Sequence, residues 1–255
     1  MQIVSTNPLV FHDVQRMCEE KYGPDDQFAE TVLVLGYNVA TFTPADLRKQ
    51  YPGHRIIAYQ LEQLFDGSKW ANDYSYKWLR DCDEIWEYDH ANLDWCASKG
   101  IKSVYRPMCY CECMKDIPLM DKDIDVLFYG YPTPRRTAIL EHWMGASWDK
   151  YVTINATGVT GAILKELLGR AKVVLNLHSF VKGCRQEQVR MFYPVINGIC
   201  VVSEKSPYNE FGKAIIETDA DHVADVLSAV LSSGDWAKIG KSAPDVYRAH
   251  CESRR

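Results

Sequence analysis

The chain has 255 residues, 47% of them apolar and 25% charged, with a formal net charge of −5. That length allows one large domain or two small ones, and the composition is that of a globular protein with real cores, not of a disordered or fibrous chain. The acidic balance argues against a surface given over wholly to nucleic acid, while leaving room for a local basic cleft. No apolar run approaches the ~18 residues that a membrane-spanning helix needs. Residues 1–6 are too few and too polar for the core of a signal peptide. The nine cysteines fall largely within predicted strands and helices rather than in a loop framework, so reduced thiols in a cytoplasmic protein are expected.

Apolar runs and helical spacing alternate along the chain. Strands are predicted over 2–5, 30–36, 55–60, 84–88 and 103–108, with helices over 8–22, 72–82 and 90–99 between them. The stretch 109–121 is irregular and polar at its end, which sets an expected domain boundary near 118–123. Beyond it, strands are predicted over 125–129, 151–155, 172–177, 199–203 and 214–217, and helices over 134–143, 160–170, 187–196 and 221–231. Strands that are apolar throughout and separated by helices imply parallel sheets covered on both faces. The expected architecture is α/β, with two Rossmann-like domains over 1–120 and 121–255 whose parallel sheets face each other across a cleft.

Candidate functional residues gather where strands end, the edge at which open α/β sheets bind ligands. The strand over 125–129 ends at Gly130; Thr133 can cap the next helix, and Pro134 suits its first position. Arg135 and Arg136 then fall in the first turn, where the helix already presents positive partial charge. Two cations there make sense if an anion sits between them, and a phosphate is the usual one. Two solvated arginines are the weaker reading, because strand, glycine and capped helix coincide.

Asn176 and His178 share one sheet face, two residues apart, and a loop carrying Lys182, Gly183 and Arg185 follows. A direct role for His178 in the site stands on equal terms with a hydrogen-bonded structural histidine. In the helix over 187–196, Val189, Phe192, Tyr193 and Ile196 form a buried stripe. Glu187 and Arg190 lie on another face, as a local ion pair or as contacts to ribose or sugar hydroxyls. The next strand ends in Ser203 and Glu204.

In the first half, Tyr59-Gln-Leu-Glu-Gln63 follows an apolar strand and makes Glu62 a candidate general base, against a carboxylate that is merely solvated. Cys109-Tyr-Cys-Glu-Cys113 lacks a second cysteine pair at metal-binding spacing and has no histidine nearby, so a metal site is the weaker reading there. No P-loop, H-E-x-x-H or G-x-S-x-G is present. The absence of G-x-G-x-x-G after the first strand weighs against an oxidoreductase.

The ordered set Asp125-Val-Leu-Phe-Tyr-Gly130, Arg135-Arg136, Ala171-Lys-Val-Val-Leu-Asn-Leu-His178, Glu187-Gln-Val-Arg190 and Gly198-Ile-Cys-Val-Val-Ser-Glu204 resembles the C-terminal half of a glycosyltransferase of the GT-B fold. Tyr59–Gln63 and Asp83-Glu-Ile-Trp-Glu-Tyr88, followed by Asn92, resemble the small bacterial and phage members of that group. The resemblance covers residues 55–205.

It implies a nucleotide-sugar donor such as UDP-glucose, with Gly130, Arg135 and Arg136 at the diphosphate. Glu187 and Arg190 would lie near nucleoside or sugar, with Ser203 and Glu204 at the donor site and His178 lining the cleft. Glu62 is the nominee for base if transfer inverts, and the acceptor would enter from the first domain. No cofactor and no bound metal are implied. The acceptor is a glycan, or a hydroxymethylated pyrimidine of DNA, for which Arg48, Lys49, Lys182, Arg185 and Arg254-Arg255 could supply a basic strip.

Two departures from the family pattern stand out. Tyr193 takes the place of the glutamate that binds ribose in many members, and Pro194 is expected to interrupt its helix. The competing class is a binding module for nucleotides or nucleotide sugars that has lost the chemistry.

Overall fold

The structure, a computed structural model, describes residues 1–147, 149–182 and 184–254; Gly183 of the loop and Arg255 of the basic strip lie outside them. The described chain divides into two compact units, Met1–Met108 and Cys109–Arg255.

The first unit runs β1 (Gln2–Ser5), α1 (His12–Tyr22), β2 (Thr31–Leu35), α2 (Pro44–Gln50), β3 (Arg55–Gln60), α3 (Asp73–Arg80), β4 (Glu84–Glu87), α4 (His90–Ser98) and β5 (Val104–Tyr105). Its five strands pair in parallel in the order β1-β2-β3-β4-β5. The helix starts are written locally. Asn72 and Asp89 cap α3 and α4 through their side chains, and Thr43 with Asp46 forms a reciprocal capping box at α2. Helix α2 was not among the expected elements, although that box is its sequence signature. Val32, Val34, Ile56, Ala58 and Ile85 of the strands pack with Trp78 and Leu79 of α3 to make the core on one sheet face.

The second unit runs β6 (Ile124–Tyr129), α5 (Pro134–Ser147), β7 (Thr153–Ala156), α6 (Gly161–Arg170), β8 (Ala171–Asn176), α7 (Gln188–Ile196), β9 (Cys200–Glu204), β10 (Ile216–Thr218), α8 (Val223–Ser233) and α9 (Asp235–Ser253). Its strands are again all parallel, in the order β10-β9-β8-β6-β7. From β6 the chain goes first to β7 on one side and then to β8 on the other, so the winding reverses between β6 and β8.

The units divide earlier than 118–123 because residues 109–117 are tied to the second unit. Tyr110 N–H bonds Cys251 Sγ at 3.3 Å, and Asn197 takes Ile117 N–H at 3.0 Å while donating to the Met114 carbonyl at 2.8 Å. Helix α9 was also not expected, since Gly240 and Pro244 lower its propensity. Gly240 is there for closeness: a Cβ would stand 2.4 Å from the Gly198 carbonyl oxygen.

Pro194 does not interrupt α7, which continues to Ile196. A proline removes the hydrogen bond to the carbonyl four residues back, here that of Arg190. The Tyr129 hydroxyl at the end of β6 donates to that carbonyl instead. Among the described residues, no helix is long and apolar enough to cross a membrane.

Candidate functional site

The carboxyl ends of β6, β8 and β9 gather most of the residues singled out in the sequence. Gly130 follows β6 with φ of 150°, and the guanidinium of Arg190 lies over it: a Cβ there would be 2.9 Å from Nη2 and 3.1 Å from Cζ. Arg190 Nη1 donates to Asn176 Oδ1 at 2.9 Å, and Asn176 Nδ2 donates to Ser203 Oγ at 3.0 Å. Arg190, from α7, is thus strung across the ends of β6, β8 and β9. This row lies at the reversal between β6 and β8, the topological switch point at which doubly wound sheets bind ligands.

The two adjacent arginines of α5 separate. Arg135 makes a two-pronged ion pair with the buried carboxylate of Glu204, with Nη1 2.8 Å from Oε2, and Nη1 also donates to the His178 carbonyl at 3.0 Å. The Glu204 hydrogen bond raises the Arg135 pKa further. Glu204 accepts the His178 backbone N–H as well. This carboxylate therefore holds the ends of β8 and β9 and the start of α5 in one arrangement.

Arg136 instead turns inward and is 2% exposed. Its Nε donates to the Leu177 carbonyl and its Nη1 to the Tyr131 carbonyl, both at 2.9 Å, with the guanidinium carbon 5.7 Å from the Phe128 ring centre. Its Nη2 is buried and, among the described residues, has no hydrogen-bond partner. Burial, and next the charge of Arg190, lower its pKa to about 10; the carboxylates of Glu187 and Glu204 only partly oppose this. A buried guanidinium with a spare donor beside a second guanidinium is a site short of negative charge.

His178 is 2% exposed. Its Nε2 lies 2.8 Å from the Lys205 carbonyl oxygen, which can only accept, so Nε2 carries the hydrogen. Its Nδ1 is buried and, among the described residues, has no hydrogen-bond partner. Glu187 sits partly buried at the N-cap of α7, and its carbonyl accepts the Arg190 N–H at 2.9 Å. Tyr193 is buried, and its hydroxyl donates to Asp116 at 2.7 Å.

Glu62 belongs to the first unit, at the carboxyl edge of that sheet. Gln60 brackets its backbone, accepting Glu62 N–H at 3.1 Å and donating to its carbonyl at 3.2 Å. Asn92 donates to the same carbonyl at 2.8 Å, accepts Leu64 N–H at 2.9 Å and donates to Glu87 at 3.0 Å. Gln60, Glu87 and Asn92 are fully buried. Glu87 and Tyr129 lie within stretches that carry the resemblance, yet the sequence assigns neither a role, since Asn92 reaches one from α4 and the other acts through a distant proline.

No protein-family model matches the chain. Among solved structures, Anabaena Alr3699/HepE in complex with UDP-glucose superposes with a TM-score of 0.64 at 8% identity, over 95% of this chain and 78% of that one. An alpha-glucosyltransferase in complex with UDP and a 13-mer DNA containing a HMU base gives 0.59 at 11%, over 88% and 78%. Sucrose-phosphate synthase from Thermosynechococcus elongatus gives 0.59 at 11%, over 94% and 73%. Two Rossmann-like units with parallel five-stranded sheets, matched over nearly the whole length, define a protein of the GT-B fold. In sequence the chain is similar to uncharacterized protein R358 of Acanthamoeba polyphaga mimivirus, 27% identical over an alignment of 234 positions that covers 86% of this chain and 78% of that protein.

Proposed function

We propose that the chain is a glycosyltransferase that moves a sugar from a nucleoside-diphosphate sugar to an acceptor hydroxyl. The observation that carries this reading is the pair Arg136 and Arg190 at the switch point, one with a buried donor that has no partner among the described residues. A diphosphate supplies the missing negative charge. Negative charge grows on that diphosphate as the sugar leaves, so donors already in place stabilise the transition state more than the bound substrate. The N-terminal turn of α5 adds its backbone N–H groups to the same edge. Arg135 has a different task, holding Glu204 and the His178 backbone.

The solved structures support UDP-glucose as the first donor to try. The acceptor is a glycan or, as in the DNA-bound alpha-glucosyltransferase, a modified base, and Glu62 is the nominee for base if transfer inverts. No metal is needed in this scheme, so chelation should leave the rate unchanged. Burial raises the pKa of the Cys82, Cys96 and Cys200 thiols, that of Cys200 to about 12, which makes them poor nucleophiles.

A second reading, a nucleotide-sugar binding module without catalysis, draws on Tyr193, which stands where many GT-B enzymes carry a ribose-binding carboxylate and is turned to Asp116. Melting the protein with UDP, GDP, ADP and their glucose conjugates tests both. A ligand at about 100 times its Kd adds about 2.7 kcal/mol of stability. A shift with one base, together with slow donor hydrolysis, supports the enzyme; a shift without hydrolysis supports the module; no shift removes both.

A further inference from the structure

We infer that His178 accepts a hydrogen bond from a hydroxyl of the donor sugar through Nδ1, and so selects which sugars the site takes. This rests on the reading of the β6–β8 edge as a nucleotide-sugar site. The Lys205 carbonyl fixes the hydrogen on Nε2, which leaves the lone pair on Nδ1. That nitrogen is buried without a partner among the described residues, in a residue 2% exposed. Backbone bonds on both sides prevent the ring from retreating: the N–H goes to Glu204 and the carbonyl takes Arg135.

The polarity of Nδ1 decides what it can bind. A phosphate oxygen also brings a lone pair and is repelled by it, so His178 is not another phosphate ligand. A hydroxyl brings the hydrogen that Nδ1 lacks. One residue before it, the Leu177 carbonyl holds Arg136, whose Nη2 is a buried donor without an acceptor. A spare donor on a side chain tied to Leu177 and a spare acceptor on His178 fit a ligand in which an anion adjoins a hydroxyl-bearing ring, which describes a sugar attached to a phosphate.

Two variants separate this role from anchoring. His178→Asn can place an acceptor near the position of Nδ1, whereas His178→Gln can keep the Nε2-type donor to Lys205 and lacks that acceptor. Calorimetry with UDP and UDP-glucose, or the pair whose base the melting panel selects, should show His178→Gln weakening UDP-glucose about tenfold and UDP by less than about twofold. His178→Asn should keep most of the wild-type preference. Equal losses for UDP and UDP-glucose, or none, would overturn the inference. In ¹⁵N-histidine spectra of the unaltered protein, an unprotonated Nδ1 signal should move with UDP-glucose and stay with UDP; movement with both, or with neither, overturns it without any variant. If no nucleotide binds at all, the proposed function fails first.

Discussion

The guanidinium of Arg190 crosses the end of β6 because residue 130 is a glycine, whose missing Cβ would lie 2.9 Å from Nη2. The glycine at the end of this strand therefore makes room for a protein cation, and that cation faces whatever binds the edge.

Gly130→Ala should accordingly act on binding more than on folding. The methyl meets the far end of a flexible side chain, which can swing away but then gives up its 2.9 Å bond to Asn176. The alanine also takes up a φ of 150°, which costs on the order of 1 kcal/mol. Nucleotide affinity should fall by about 2 kcal/mol while urea unfolding shows roughly half that loss. A stability loss with full affinity would take Arg190 out of the site.

Glu204→Gln removes one partner of a largely buried ion pair and leaves the Arg135 guanidinium without its counter-charge. Arg135 is 23% exposed, so the cost is discounted to roughly 2–4 kcal/mol. Because Glu204 also accepts the His178 N–H, loosening should spread to the end of β8. Amide exchange at His178 should speed up, while strands of the first unit keep their protection. Unchanged exchange at His178 would mean that Arg135 alone depends on this carboxylate.

The alternation of strand and helix, the parallel sheets and the crowded strand ends were legible because each depends on local periodicity. The division of labour between Arg135 and Arg136 was not. Neighbours in a helix point about 100° apart, and nothing local shows that one finds Glu204, 69 positions away, while the other finds backbone carbonyls beneath it. The same limit hid the attachment of residues 109–117 to the second unit, which runs through Asn197 and Cys251. Pro194 misled in the other direction: it read as a helix end because its remedy, the Tyr129 hydroxyl, comes from another strand.

That remedy makes a testable pair. Tyr129→Phe should cost about 1–2 kcal/mol, since it leaves the part-buried Arg190 carbonyl without its donor. In a Pro194→Ala background the helix regains its own N–H for that carbonyl, so the same change should cost appreciably less. Denaturant midpoints for the four proteins of this cycle give the coupling, expected at about 0.5–1 kcal/mol. Equal costs in both backgrounds would show that Tyr129 does not repair the proline.

His250 gives the fold a pH dependence whose sign can be derived. Its ring packs on Gly212, where a Cβ would stand 2.8 Å from Nδ1, and its Nε2 is buried without a partner among the described residues. Burial first, and then the charge of Arg254, lower its pKa below the ordinary 6.5, against the opposing pull of Glu210. The unfolded chain then takes up the proton before the folded one does. The stability that neutral His250 contributes is complete above 6.5 and is lost as pH falls through the lowered value. Glu217 runs the other way: burial raises its pKa, so its contribution is complete below its unfolded value and fades as pH rises through the folded one. The comparison of variant with wild type is therefore the quantity to read. Urea midpoints at about pH 7.5 and about pH 5.5 should fall less on acidification in His250→Gln than in the wild type. A parallel decline in both would show that protonation of His250 costs the fold nothing and that the acid sensitivity lies elsewhere.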